Sequence, residues 1–225
     1  IGLIDDLKNL SPFSRLTIQF IASSFVWAMG LKIDAINFLW IDNFQIPIIL
    51  SFLITIFWIT GITNAINWLD GLDGLAAGLI IIALTNTALF SISNELFYIT
   101  IFSSILCGSC LGFLHYNLYP AKILMGDGGS YFLGFILSIL SILCCQQPNG
   151  SISFHWTILI VLIPLLDMIY VIFKRIKNYK SPFLADRSHL HHRILDKGKT
   201  HKQTVSLIHF VAILIAILMN FIYYI

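Results

Sequence analysis

The sequence predicts an all-α, polytopic helical membrane protein with about seven transmembrane helices, and three observations carry that prediction. The 225 residues are 58% hydrophobic and have a mean hydropathy of +0.88. Only 11% are charged, against about 25% in an average soluble domain. Apolar runs of bilayer-crossing length, about 18 residues, recur along the whole chain.

The elements follow in order. A polar stretch over 1–12 contains "GLIDDLK", and the first apolar run covers 15–31. Residues 32–45 are polar enough to leave the bilayer, and Pro47 opens the second run, 46–63. That run ends in "NAINWLDGLDGLAAG", where glycines and acids interrupt the apolar pattern before the third run, 74–92. A short turn at 93–96 leads into the fourth run, 97–116. A polar segment over 117–129 holds "NLYPAK" and "MGDGG", and the fifth and shortest run is 130–145. Pro148, Asn149 and Gly150 mark a turn within 146–154. The sixth run, 155–173, contains Pro164 and Asp167, an acid at bilayer depth and therefore functional by default. A basic, His-rich segment over 174–203 precedes the seventh run, 204–225. The whole reads as one membrane-embedded domain, 1–225. It begins without Met and without a cleavable signal peptide, so further chain is expected upstream.

Seven alternating spans put 1–12, 64–73, 117–129 and 174–203 on one side and 32–45, 93–96 and 146–154 on the other. Of 13 Lys and Arg residues, only Lys32 belongs to the second set, so the first set is expected to be cytoplasmic. That makes a multi-pass protein of the plasma (inner) membrane. The net charge of +2 gives no sign of a nucleic-acid partner. Cys107, Cys110, Cys144 and Cys145 lie in or at apolar runs and read as small buried residues.

The chemistry gathers on the first side. Asp70 and Asp73 are three residues apart, within reach of each other on a helical turn, among flanking glycines. A cap explains one of these acids, but not both together with Asn64 and Asn67. Adjacent Asp5 and Asp6 form a second cluster, and Asp127 sits in a Gly-rich turn whose N–H groups suit oxygen-rich anions. Carboxylates, an amide and basic residues together suit a magnesium–phosphate site, because Mg²⁺ takes oxygen ligands and shares them with substrate phosphates. His189, His191 and His192 lack a cysteine partner and are flanked by Arg187 and Arg193, which favours phosphate or sugar binding over zinc.

At these residues the chain resembles the polyprenyl-phosphate N-acetylhexosamine-1-phosphate transferase family. "DDLK" is similar to its first acidic motif, "NAINWLDGLDGLAAG" to its second, "GDGGSYFLG" to its third and "DRSHLHHRILDKG" to its histidine loop. The motifs cover nearly the whole chain in family order. The resemblance implies transfer of a sugar 1-phosphate from a UDP-sugar to a polyprenyl phosphate lipid with release of UMP, an initiating step of cell-envelope glycan synthesis. The "HLHHR" pattern is more similar to the branch using UDP-N-acetylglucosamine and undecaprenyl phosphate than to the phospho-MurNAc-pentapeptide branch. Members carry further spans ahead of the first acidic motif, and Leu124 stands where many have Phe.

The resemblance also implies roles. Asp127 is the expected main ligand of Mg²⁺ (Mn²⁺ substituting), rivalled by a helix-cap role, and Asn67 is a second ligand. Asp5 and Asp6 are the expected catalytic pair meeting the lipid phosphate; either removing a residual proton or attacking phosphorus remains open beside direct attack by the lipid phosphate. Asp70 and Asp73 are expected to meet the uridine or the metal's water shell. Asn64, Asn117 and Lys122 are expected to line the cleft, and His189, His191, His192 and Arg193 to hold the diphosphate and sugar. A homodimer is a further open expectation. An ion-coupled transporter is the rival class, but it calls for acids near mid-bilayer and an inverted repeat, whereas these acids cluster at one face.

Overall fold

The computed structural model describes residues 1–225 except 9, 39, 148, 183–186 and 225. Asp186 of the histidine motif therefore lies outside the described residues. Helix boundaries fall where capping residues meet apolar runs. A short helix α1 (Gly2–Lys8) is followed by Ser11, whose hydroxyl accepts the Ser14 N–H at 3.1 Å, and Pro12 starts α2 (Pro12–Ala28). Two short strands, β1 (Ala35–Phe38) and β2 (Ile41–Gln45), pair antiparallel. Four long helices come next: α3 (Ile48–Leu69), α4 (Leu75–Ser93), α5 (Phe97–Asn117) and α6 (Gly126–Leu143). Strand β3 (Ile152–Ser153) joins β1 in parallel, giving the order β2-β1-β3. The chain ends in α7 (Phe154–Ile160), α8 (Leu162–Lys177), α9 (Leu190–Leu195) and α10 (His201–Tyr224).

Among the described residues five helices (α3, α4, α5, α6 and α10) are long and apolar enough to cross a membrane, and α7 with α8, taken as one span, makes a sixth that is bent by 85°. The first expected span is α2, whose 17 residues extend only about 26 Å at 1.5 Å per residue. The apolar pattern over 155–173 presents the sixth span as continuous, although the cause of its break is in the sequence. In one continuous helix the Pro164 ring would meet the carbonyl of residue 160, which is where α7 ends. In the first turn of a new helix the absent N–H costs nothing. The small sheet was also unforeseen, because its strands come from segments more than 100 residues apart. The Asn37 amide donates to Gln147 Oε1 at 2.6 Å across that gap.

Helices α3 and α4 supply much of the centre: Ile59, Ile62, Ile66, Leu69, Leu75, Ile80 and Leu84 are fully buried. Gly134 of α6 lets that helix close on α3; a Cβ there would sit 2.9 Å from the Thr63 Cα. Small residues at such contacts are what membrane helices use in place of a hydrophobic driving force. Phe57, Phe97, Tyr98, Ile101, Phe210 and Ile217 remain exposed on the outer faces, as lipid-facing side chains do. Successive passes alternate in direction. The sheet lies at one end of the bundle, and the starts of α1, α4, α6, α9 and α10 gather at the other.

Candidate active site

Four segments distant in sequence build this second end. On α1, the Asp6 carboxylate accepts the Asp127 N–H at 2.8 Å and the Gly128 N–H at 3.0 Å, so it caps α6 from another helix. Asp5 is 3% exposed; Oδ1 accepts the Leu10 N–H at 2.7 Å and Oδ2 pairs with Arg15 at 3.0 Å. Arg15 also reaches the Tyr131 hydroxyl at 3.3 Å.

Asn67 lies on the last turn of α3, where its amide donates to Asp127 Oδ1 at 2.6 Å and to Ser130 Oγ at 2.9 Å. Just beyond it, Asp70 and Asp73 occupy the turn between α3 and α4. Asp73 Oδ2 accepts the Ala121 N–H at 3.0 Å, and His201 at the start of α10 lies 3.3 Å from the Asp73 carbonyl. Asn117 uses both ends of its amide, accepting the Gly74 N–H at 3.0 Å and donating to the Ile123 carbonyl at 2.8 Å. This holds the 118–125 segment over the turn.

Asp5, Asp6, Asn67, Asp70, Asp73, Asn117 and Asp127 thus line one cavity of about 440 Å³. Burial, then the neighbouring carboxylates of Asp127, Asp6 and Asp73, push the Asp70 carboxyl up to about 7. Among the described residues no three His, Cys, Asp or Glu side chains form a metal cage unaided. The donors here are oxygens from carboxylates and an amide, a set that suits a hard cation sharing its coordination with a ligand's phosphates.

The histidine segment approaches from the side. A Cβ on Gly71, in the cavity wall, would fall 2.5 Å from His191 Nε2. His191 is 1% exposed, and neither ring nitrogen has a hydrogen-bond partner among the described residues. Burial, then His192 and His189, lower its pKa to about 4, so the ring is neutral at pH 7. His192 is lowered too, by burial and then by Arg187. His189 lies nearly parallel to His191 with ring centres 5.8 Å apart. Arg193 lies over the Tyr170 ring at 3.9 Å, beside an apolar groove between α8 and α10.

Six expected residues do not line the cavity: His189, His192 and Arg193 stand away from it, His191 only abuts Gly71 of its wall, and Asn64 and Lys122 lie elsewhere. Asn64 donates to Gln19 Oε1 at 2.5 Å and to the Thr60 carbonyl at 2.7 Å, joining α2 to α3 one turn deeper. Lys122 is exposed and does not line the cavity. Conversely, Arg175 reads in the sequence as one of several basic residues beside a span, yet it is 3% exposed and lies over the Trp68 ring at 5.1 Å. Its spacing of eight residues from Asp167, about two helical turns, is the signal that groups it with that acid.

Comparison with known proteins gives two findings. Residues 1–145 match the family described as Glycosyl transferase family 4. The chain is 38% identical over 219 residues to a probable undecaprenyl-phosphate N-acetylglucosaminyl 1-phosphate transferase of Bacillus subtilis, covering 96% of this chain and 61% of that protein. It is 35% identical to a decaprenyl-phosphate N-acetylglucosaminephosphotransferase of Mycobacterium leprae (93% of this chain, 58% of that one). Identity is 28% to the undecaprenyl-phosphate alpha-N-acetylglucosaminyl 1-phosphate transferase of Escherichia coli K12 (96% and 60%). The chain spans about three fifths of the length of these curated relatives.

Proposed function

This chain belongs to glycosyl transferase family 4, and from that premise we propose that the protein transfers N-acetylglucosamine 1-phosphate from UDP-N-acetylglucosamine to undecaprenyl phosphate. The observation that carries the reading is that three separated motifs line one cavity at one end of the bundle while the fourth, the histidine segment, packs against Gly71 of its wall. In the reaction an oxygen of the lipid phosphate attacks the phosphorus bonded to the sugar. A new P–O bond forms, the bond between the two phosphates of the donor breaks, and UMP leaves with that bond's electrons. The Lys and Arg distribution supports a cytoplasmic cleft, where the UDP-sugar is available.

A lipid phosphate monoester is largely dianionic at neutral pH, so it needs no strong base. The contacts of the two leading acids favour direct attack. Asp5 is enclosed by Arg15 and the Leu10 N–H, and Asp6 is committed to the α6 N-terminus. Their work is to set the cleft's shape and field, with Asp6 holding α6 so that Asp127 faces Asn67. Neutral His191, with both ring nitrogens unpartnered at the cavity wall, supplies hydrogen bonds to the diphosphate or sugar. Asp127 and Asn67 would hold Mg²⁺, with Asp70 and Asp73 beside it. The bound ion would neutralise the approach of two phosphate groups and the charge spread over the transferring one.

The direct test uses the intact protein in detergent. Radiolabelled UDP-N-acetylglucosamine plus undecaprenyl phosphate should give a lipid-linked sugar and UMP, and added UMP should reverse the reaction. Turnover with UDP-MurNAc-pentapeptide alone would place the protein in the other branch.

A second test addresses the cation without measuring turnover. Folding raises the Asp70 carboxyl from 3.8 to about 7. Within that window the folded protein retains a proton that the unfolded chain has released, so cation-free protein loses stability as pH rises, and the loss is complete above about 7. Asp70→Asn removes this loss. The melting-temperature advantage of the variant should therefore widen from about pH 4 to about pH 7, level off above that, and shrink again when Mg²⁺ is added. An advantage independent of both pH and Mg²⁺ would remove the support this carboxyl gives to a cation site.

A further inference from the structure

Asp167 lies inside the broken span, on α8, and has no part in the reaction as drawn above. Its side chain is 2% exposed and both oxygens are used. Oδ2 lies 2.9 Å from His189 Nδ1, and Oδ1 accepts the Leu190 N–H at 2.7 Å. Leu190 is the first residue of α9, and His189 before it provides no side-chain cap. The acceptor for the first N–H of α9 thus comes from another helix, 23 residues away.

The arrangement also fixes a tautomer. A carboxylate only accepts, so Nδ1 of His189 carries the proton and donates it to Asp167. The other nitrogen, Nε2, is then an acceptor and faces an NH₂ group of Arg175 at 3.5 Å. Trp68 closes the third side, its ring centre 5.6 Å from that of His189. Beyond His189 comes His191, parallel to it and pressed against Gly71 of the acidic cavity. A continuous set of contacts therefore leads from a membrane-embedded carboxylate to the cavity wall.

We infer that Asp167 is a positioning residue: it holds His189 in one tautomer and anchors the start of α9, and so places His191 at the cleft. For its bearing on turnover the inference rests on the transferase reading above. Its structural content can be tested apart from that reading.

The decisive variant is Asp167→Asn in the intact protein. The amide is isosteric and can still accept the Leu190 N–H. Its NH₂ then faces His189 Nδ1 and drives the imidazole proton to Nε2, where it points at the Arg175 guanidinium, donor against donor. The first readout is modification of individual histidines by diethyl pyrocarbonate, followed by mass spectrometry. His189 and His191, slow in the parent, should react about tenfold faster in the variant, while His209 on α10, which bonds the Leu75 carbonyl, should not change. The second readout is kinetic. The KM for the UDP-sugar should rise about tenfold or more while the KM for the lipid phosphate stays put. Unchanged labelling of His189 and His191 overturns the inference. So does equal acceleration at His209, which would mean that Asp167 supports the whole fold and not this segment. Selective loosening of the loop in a protein that transfers no sugar phosphate would uphold the positioning and overturn the transferase reading.

Discussion

Asp127→Asn should lower turnover by about 10²–10³-fold while the protein still inserts and purifies as a folded particle. The sequence leaves two roles open for this acid, a metal ligand or the cap of its own helix. The cap is supplied elsewhere: Asp6 accepts the N–H groups of Asp127 and Gly128, and the residue preceding α6, Met125, gives no side-chain cap. The Asp127 side chain lines the cavity, where Asn67 holds one oxygen at 2.6 Å and the Asp5 carboxyl is a further hydrogen-bonding neighbour. An amide in its place can keep that hydrogen bond but removes a full negative charge. The variant should also need more Mg²⁺ for whatever activity remains. Asp42→Asn, on an exposed strand at the opposite end, should change nothing measurable. Near-normal turnover with an unchanged Mg²⁺ titration would force the site to be rebuilt around Asp5, Asp6, Asp70 and Asp73.

The second large effect is expected at a residue with no functional group. In Gly71→Ala the new methyl would stand 2.5 Å from His191 Nε2 and 3.0 Å from its Cε1. The ring cannot easily step aside, because His189 lies parallel on one side and the His192 ring centre is 4.2 Å away. Overpacking of this kind costs roughly 1–3 kcal/mol. If it is relieved by expelling His191 from the cavity wall, the rate falls by about 10–100-fold. Thermal unfolding and turnover separate the two consequences. Adding His191→Ala to Gly71→Ala should restore the melting temperature without restoring activity. A Gly71→Ala protein as active and as stable as its parent would show that the histidine does not sit against this turn.

The membrane class and the two-sided arrangement are legible in the sequence because they depend on local quantities. Hydropathy over a window the length of a span decides whether a segment enters lipid, and the Lys and Arg between spans bias its orientation. The candidate acids are legible for a related reason: a carboxylate beside apolar runs is costly enough to need a function. Asn64 shows the limit of that argument. It lies in the same motif as Asn67, three residues away, yet one amide bonds Asp127 and the other bonds Gln19. A single helical turn separates the cavity from the helix–helix packing beneath it.

By itself, then, the sequence determined that this is a helical membrane protein with its acids, glycines and histidines gathered toward one end, whereas the break beside Pro164 interrupts a run that its apolar pattern presents as continuous. Tertiary structure alone decided what each polar group does there. Asp6 caps a helix more than 100 residues further along, Asp5 pairs with Arg15, and Arg175 turns from an apparent surface charge into a buried neighbour of His189. The sheet β2-β1-β3 belongs to the same class of feature. The physical reason is one of range. Transfer into lipid is nearly additive along a local window, whereas a hydrogen bond or ion pair exists only when two groups meet within about 3 Å in a fixed geometry. Residues far apart in the chain acquire that geometry only once the helices have packed.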